Sequence, residues 1–162
     1  MSVEQRLQRL EDIEAIKQLI ARYMTAADHN AEPEMMAPCF TEDAVWHCEG
    51  IGGYEGRDAI VSGLREVSTK RLSWALHYAT QPIIEVADDG QTATGEYYLW
   101  ELAKAVQEDG SPDQDTWIGG WYESKFRKEG GDWKFSHIEL ILKLLSPASA
   151  PTWETPIPPW KG

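Results

Sequence analysis

The feature that most constrains this chain is a change of hydrophobic period at Leu72. Before it, apolar residues recur every three or four positions, the period of a helix; after it, long strand-like runs are separated by short polar turns. In the first thirty residues Leu7, Leu10, Ile13, Ile16, Ile20, Tyr23, Met24 and Ala27 fall on one stripe, which predicts an amphipathic helix. Pro33 and Pro38 bracket a short second helix over residues 34–37. Residues 44–48 and 50–56 read as a short hairpin. Gly56-Arg57-Asp58 then opens a helix to about Ser68, with Ile60, Val61, Leu64 and Val67 inward. Four long strands follow, over residues 72–86, 92–106, 117–128 and 133–145, divided at Asp88-Asp89-Gly90, at residues 108–113 and at residues 129–132. Gly119-Gly120 has no helix start behind it and reads as a strand bend, not a phosphate loop. In the last strand Ile138, Leu140, Leu142 and Leu144 share one face, and His137, Glu139 and Lys143 the other. Helices first and antiparallel strands afterwards predict an α+β domain.

A chain of 162 residues suits one compact domain and buries about 70% of its unfolded surface without staples. Its 27 acidic against 15 basic residues give a net charge of −12, which excludes a phosphate-backbone binder and disfavours anionic lipid. No run approaches a membrane span and no signal peptide is visible, so no nucleic acid and no membrane are expected as partners. Cys39 and Cys48 lack metal spacing and are expected as free thiols in a reducing cytoplasm. Eight Trp in so short a chain suggest an apolar pocket or a subunit interface. Residues 1–145 form the expected domain. Residues 146–162 hold five of the nine prolines with Trp153, Ile157 and Trp160, and read as an extended strap packed on this domain or a neighbour.

Particular residues give the order a likeness. They are residues 12–17 and Tyr23 and Asp28 in the first helix, Phe40-Thr41-Glu42-Asp43-Ala44, residues 54–60, His77, Thr92-Ala93-Thr94-Gly95, and Gly131-Asp132-Trp133-Lys134-Phe135. Over nearly its whole length the chain resembles the SnoaL-like branch of the nuclear-transport-factor-2-like proteins. Within it, the chain looks most similar to the bile-acid 7α-dehydratase, scytalone dehydratase and hexachlorocyclohexane dehydrochlorinase group. Residues 49–54 and the pair His77-Tyr78 resemble the dehydrochlorinase, and the Tyr23–Asp28 pair resembles the bile-acid enzyme. The likeness implies a cone-shaped α+β barrel, with N-terminal helices on a curved, mostly antiparallel sheet enclosing a pocket, and a homotrimer or dimer.

His77 has Ala75 and Ala79 as same-face neighbours, which leaves room for a ligand. Asp28 lies near a helix end, where the helix dipole disfavours a carboxylate. Tyr23 lies on the apolar stripe. The resemblance implies that these three are catalytic, in an elimination needing no metal or organic cofactor. Asp28 would orient and stabilise the imidazole of His77, His77 would take a proton from an acidified carbon, and Tyr23 would hydrogen-bond the enolate oxygen or protonate a departing hydroxyl. Met24, Trp46, Trp100, Trp121 and Leu142 are the expected substrate contacts. The bile-acid enzyme has an arginine where this chain has Leu142, and the dehydrochlorinase a lysine where it has Tyr23, so a neutral, apolar, cyclic substrate is expected. His29 competes as the orienting partner of His77, His47 and His137 show no ligand partners, and Glu96 and Glu101 are expected in solvent, although a carboxylate inside the cone could be a second base. The expectation is a lyase or dehydratase. The alternatives are an isomerase or polyketide-type cyclase using the same residues, or a non-catalytic subunit like the β subunit of ring-hydroxylating dioxygenases.

Overall fold

A computed structural model describes residues 1–150. Three helices, α1 (Val3–Asp28), α2 (Pro33–Met36) and α3 (Arg57–Glu66), pack on a six-stranded sheet. Its strands are β1 (Phe40–Cys48), β2 (Gly52–Glu55), β3 (Leu72–Val86), β4 (Thr92–Ala105), β5 (Gln114–Glu129) and β6 (Asp132–Pro147), in the order β2-β1-β6-β5-β4-β3. All neighbours are antiparallel except β1 and β6. The α+β expectation holds, with the short hairpin joined to the long strands through that parallel pair. The sheet stays open, and β2 and β3 are its edges.

Helix α1 starts on a reciprocal cap, in which the Ser2 hydroxyl accepts from the Gln5 N–H and the Gln5 side chain accepts from the Ser2 N–H. Its apolar stripe is buried only from Asp12 onward. Leu7 and Leu10, predicted on the buried face, are 55% and 64% exposed, because none of the described residues covers these two side chains. Asp12 ties the helix to the β5–β6 hairpin, accepting from Lys128 Nζ at 2.6 Å, Trp133 Nε1 at 2.9 Å and Gln8 Nε2 at 3.3 Å. Further along, Tyr23 packs edge-on against Phe40 and Tyr122 and leans on Phe135, beside Phe126.

Two irregularities shape the concave face. A β-carbon on Gly120 would collide with the Ile141 carbonyl, so only glycine allows β5 to approach β6 there, and the register slips between Gly119 and Gly120. The slip puts an extra β6 residue between Leu142 and Leu144 and reverses the alternation. Leu145 therefore turns inward with Ile118, while Leu144 pairs with Gly119 on the outer face, a correction to the uniform alternation expected of this strand. β6 also continues through buried Ser146 to Pro147, two residues into the segment read as a strap. Residues 151–162, including Trp153, Ile157 and Trp160, lie outside the described residues. Both cysteines are buried free thiols, and no described helix is long and apolar enough to cross a membrane.

Candidate active site

Asp28 is the last residue of α1, and its carboxylate is held by two donors from one residue. The backbone N–H and ring Nδ1 of His77 both donate to Oδ1, each at 2.8 Å. The topology explains the first bond: β3 is an edge strand, so its outward N–H groups have no neighbouring strand, and Asp28 satisfies one of them. These bonds offset the unfavourable helix end. The second bond makes Nδ1 the protonated nitrogen and leaves Nε2 for the concave side.

Nε2 faces a cavity of about 260 Å³ between the helices and the sheet. Its walls are mostly apolar, with Ile118, Leu140, Leu142 and Leu145 from the sheet and Leu64 from α3. Tyr23 and Trp46 bring polar atoms to the wall, and Trp46 Nε1 donates to Tyr23 Oη at 3.0 Å. Burial raises the Tyr23 hydroxyl far above the ordinary tyrosine range, so it stays protonated and able to donate. Ser68 and Arg71 join the lining from the π-helical turn over residues 67–71. Arg71 also donates to the Ile51 carbonyl at 3.3 Å, and was not foreseen as part of the site.

Glu101 sits directly across the β3–β4 ladder from His77. Its Oε2 lies 3.4 Å from His77 Nε2, and its residue is only 5% exposed. The expectation of a solvated side chain is wrong for Glu101 and right for Glu96, because the two occupy opposite faces of β4. Burial pushes the Glu101 carboxyl above the usual carboxylate range; His77 opposes this and Asp28 adds to it. For His77, burial lowers the imidazole, but the Asp28 hydrogen bond, the Glu101 carboxyl in its ionised form and the charge of Asp28 together outweigh it, and the net shift is upward. Asp28 and Glu101 address opposite ring nitrogens and do not converge as metal ligands would; among the described residues no group of three such side chains does.

The structure thus gathers Tyr23, Trp46, His77 and Leu142 around one cavity, with Asp28 behind the imidazole. Met24 is buried but lines a separate crevice between α1 and β3, alongside Asp28 and the far side of His77. Trp100 and Trp121 do not reach the cavity. Both lie on the outer face of the sheet, where Trp100 packs near Trp117 and Trp121 carries Lys143 over its ring. Their positions on β4 and β5 have the parity opposite to Glu101 and Tyr122, which point inward. His29 donates its Nδ1–H to the Thr25 carbonyl at the end of α1, and His47 pairs with Glu139 at 2.7 Å, so neither joins the site.

A family model for the SnoaL-like domain matches residues 8–139. Gamma-hexachlorocyclohexane dehydrochlorinase of Sphingobium indicum is 27% identical over 142 residues, covering 87% of this chain and 86% of that protein. The crystal structure of the type 3 hexachlorocyclohexane dehydrochlorinase from Novosphingobium barchaimii superposes with a TM-score of 0.79 at 26% identity, covering 89% and 94% of the two chains. A putative scytalone dehydratase from Novosphingobium aromaticivorans shares the fold, with a TM-score of 0.74 at 24% identity over 95% and 98%.

Proposed function

The chain belongs to the SnoaL-like domain family, and from that premise we propose that it is a cofactor-independent lyase of the dehydratase kind, acting on an apolar, ring-bearing small molecule. His77 Nε2 is the base, taking a proton from a carbon acidified by a neighbouring carbonyl or its vinylogue. Asp28 holds the imidazole and stabilises its charged form. Tyr23, kept protonated by burial, donates to the developing enolate oxygen. The apolar walls exclude water and orient the ring, and a volume of about 260 Å³ suits one or two rings.

The observation that carries this reading is the double grip of Asp28 on His77, at 2.8 Å each, with Nε2 left open to a cavity. Relatives named as dehydrochlorinases support elimination as the reaction class. An interior filled by side chains would have favoured the non-catalytic subunit; the cavity speaks against it. The test is turnover of 3-hydroxycyclohexanone to the enone, followed by the absorbance of the product. Wild type accelerates it, and His77→Gln lowers the rate at least about a hundredfold while circular dichroism stays unchanged. Equal rates for the two proteins would refute the reading.

The same proposal includes self-association, as a trimer or dimer, through the outer sheet face. Trp74, Tyr78, Tyr98 and Trp100 are each more than a third exposed there, an apolar area that a lone soluble chain rarely leaves uncovered. A sedimentation mass of one chain would remove it.

A further inference from the structure

Within that elimination site, a second side chain has the setting of an acid. Glu101 Oε1 is buried and has no hydrogen-bond partner among the described residues. Among the same residues Oε2 meets only His77 Nε2, at 3.4 Å, well beyond the roughly 2.7–2.9 Å of a charge-assisted hydrogen bond. A carboxylate in this environment lacks the donors it needs, whereas a neutral carboxylic acid tolerates it. The group also lines the cavity beside the proposed base, from the adjacent strand and on the same face.

We propose that Glu101 is the general acid of this site, a protonated carboxyl that delivers its proton to a departing hydroxyl, and that the substrate class is therefore cyclic β-hydroxy ketones. The inference rests on the elimination reading and deepens it. In the step, His77 Nε2 takes the proton from the carbon next to the carbonyl. The C–H electron pair becomes the new carbon–carbon double bond, by way of the enolate. The carbon–oxygen bond breaks, and its electron pair takes the Glu101 proton, so the hydroxyl leaves as water. Imidazolium and carboxylate then face each other across the 3.4 Å gap, and transfer of the proton from Nε2 to the carboxylate restores both groups. A halide or a carboxylate leaving group departs as a stable anion and needs no such proton; a hydroxyl does.

The experiment pairs 3-hydroxycyclohexanone with 3-acetoxycyclohexanone, for wild type, Glu101→Gln and His77→Gln. Glutamine keeps the size of the side chain but carries no transferable proton. Glu101→Gln is expected to slow the hydroxy substrate about a hundredfold or more and the acetoxy substrate less than about fivefold, while His77→Gln slows both. Equal losses on both substrates in Glu101→Gln overturn the acid role and leave the elimination reading standing. His77→Gln working as well as wild type on the acetoxy substrate sinks the elimination reading instead. An independent measurement is infrared difference spectroscopy at neutral pH. A carbonyl band of a protonated carboxylic acid, present in wild type and missing from Glu101→Gln, is the expected result. Its absence from wild type means Glu101 is ionised and overturns the proposal whatever the kinetics.

Discussion

Two carboxylates in this molecule are almost equally buried, Asp12 at 4% exposure and Glu101 at 5%, and they behave oppositely. Asp12 accepts from a lysine, an indole N–H and an amide. Burial alone would raise its acid equilibrium, but the Lys128 and Trp133 hydrogen bonds outweigh it and hold the group below the ordinary carboxylate range. Glu101 has no comparable donor among the described residues, and burial carries it upward. The number of donors supplied, not the depth of burial, decides whether a buried carboxylate is a fixed charge or a held proton. The first ties a helix to a hairpin; the second is available for chemistry.

The sharpest way to break this contrast is to remove each group. Asp12→Ala leaves the Lys128 ammonium, itself only 16% exposed, without its partner. The expected cost is about 3 kcal/mol, seen as a fall in melting temperature of roughly 10 °C, with turnover per folded molecule unchanged. If Asp12→Ala removed activity without loss of stability, the division between structural and chemical carboxylates would be wrong. Asp28→Asn sits between the extremes. It keeps an oxygen to accept both His77 bonds but loses the charge, so the rate should fall about a hundredfold with little change in stability. Because Asp28 helps raise the His77 equilibrium, the rising limb of the pH–rate profile, above 6.5 in wild type, should move to lower pH in this variant.

Titration of stability sharpens the comparison further. Asp12 is lowered on folding, so its stabilisation is present above the unfolded value near 3.8 and is lost as pH falls through the folded value. Glu101 is raised on folding, so above the unfolded value near 4.5 the native state holds a proton that the unfolded chain has released. Stability then declines as pH rises toward the folded value. Urea midpoints across pH 4–8 should therefore fall more with pH in wild type than in Glu101→Gln. The smallest effect is expected outside the cavity: Trp121→Ala on the outer face should change turnover by no more than about twofold.

Period alone carried much of this architecture. The amphipathic stripe, the four long strands and their turns followed from spacing, and β3 begins and ends at Leu72 and Val86 as its apolar run does. Spacing could not reveal where the period breaks. The slip at Gly119-Gly120, visible beforehand only as a bend, decided that Leu145 and not Leu144 meets the cavity. The Trp residues misled for a related reason: size suggested pocket lining, but strand parity assigns Trp100 and Trp121 to the outer face. Parity also held the missed signal for Glu101. Tyr97, Leu99 and Ala103 occupy one face of β4, and a glutamate among them in the same phase is a charge written into a buried row. Arg71 left no such trace, since its place at the cavity depends on a π-helical turn that no local pattern announces.

The central claim is that His77 removes a proton from carbon inside this cavity, and hydrogen exchange measures that step without any leaving group. With 1-tetralone, a two-ring ketone, in deuterated buffer, the wild-type protein is predicted to speed deuterium entry at the carbon beside the carbonyl, followed by NMR. His77→Gln is predicted to leave only the uncatalysed rate. Exchange that is equally fast in His77→Gln, or absent from wild type with the ketone bound, would contradict the account.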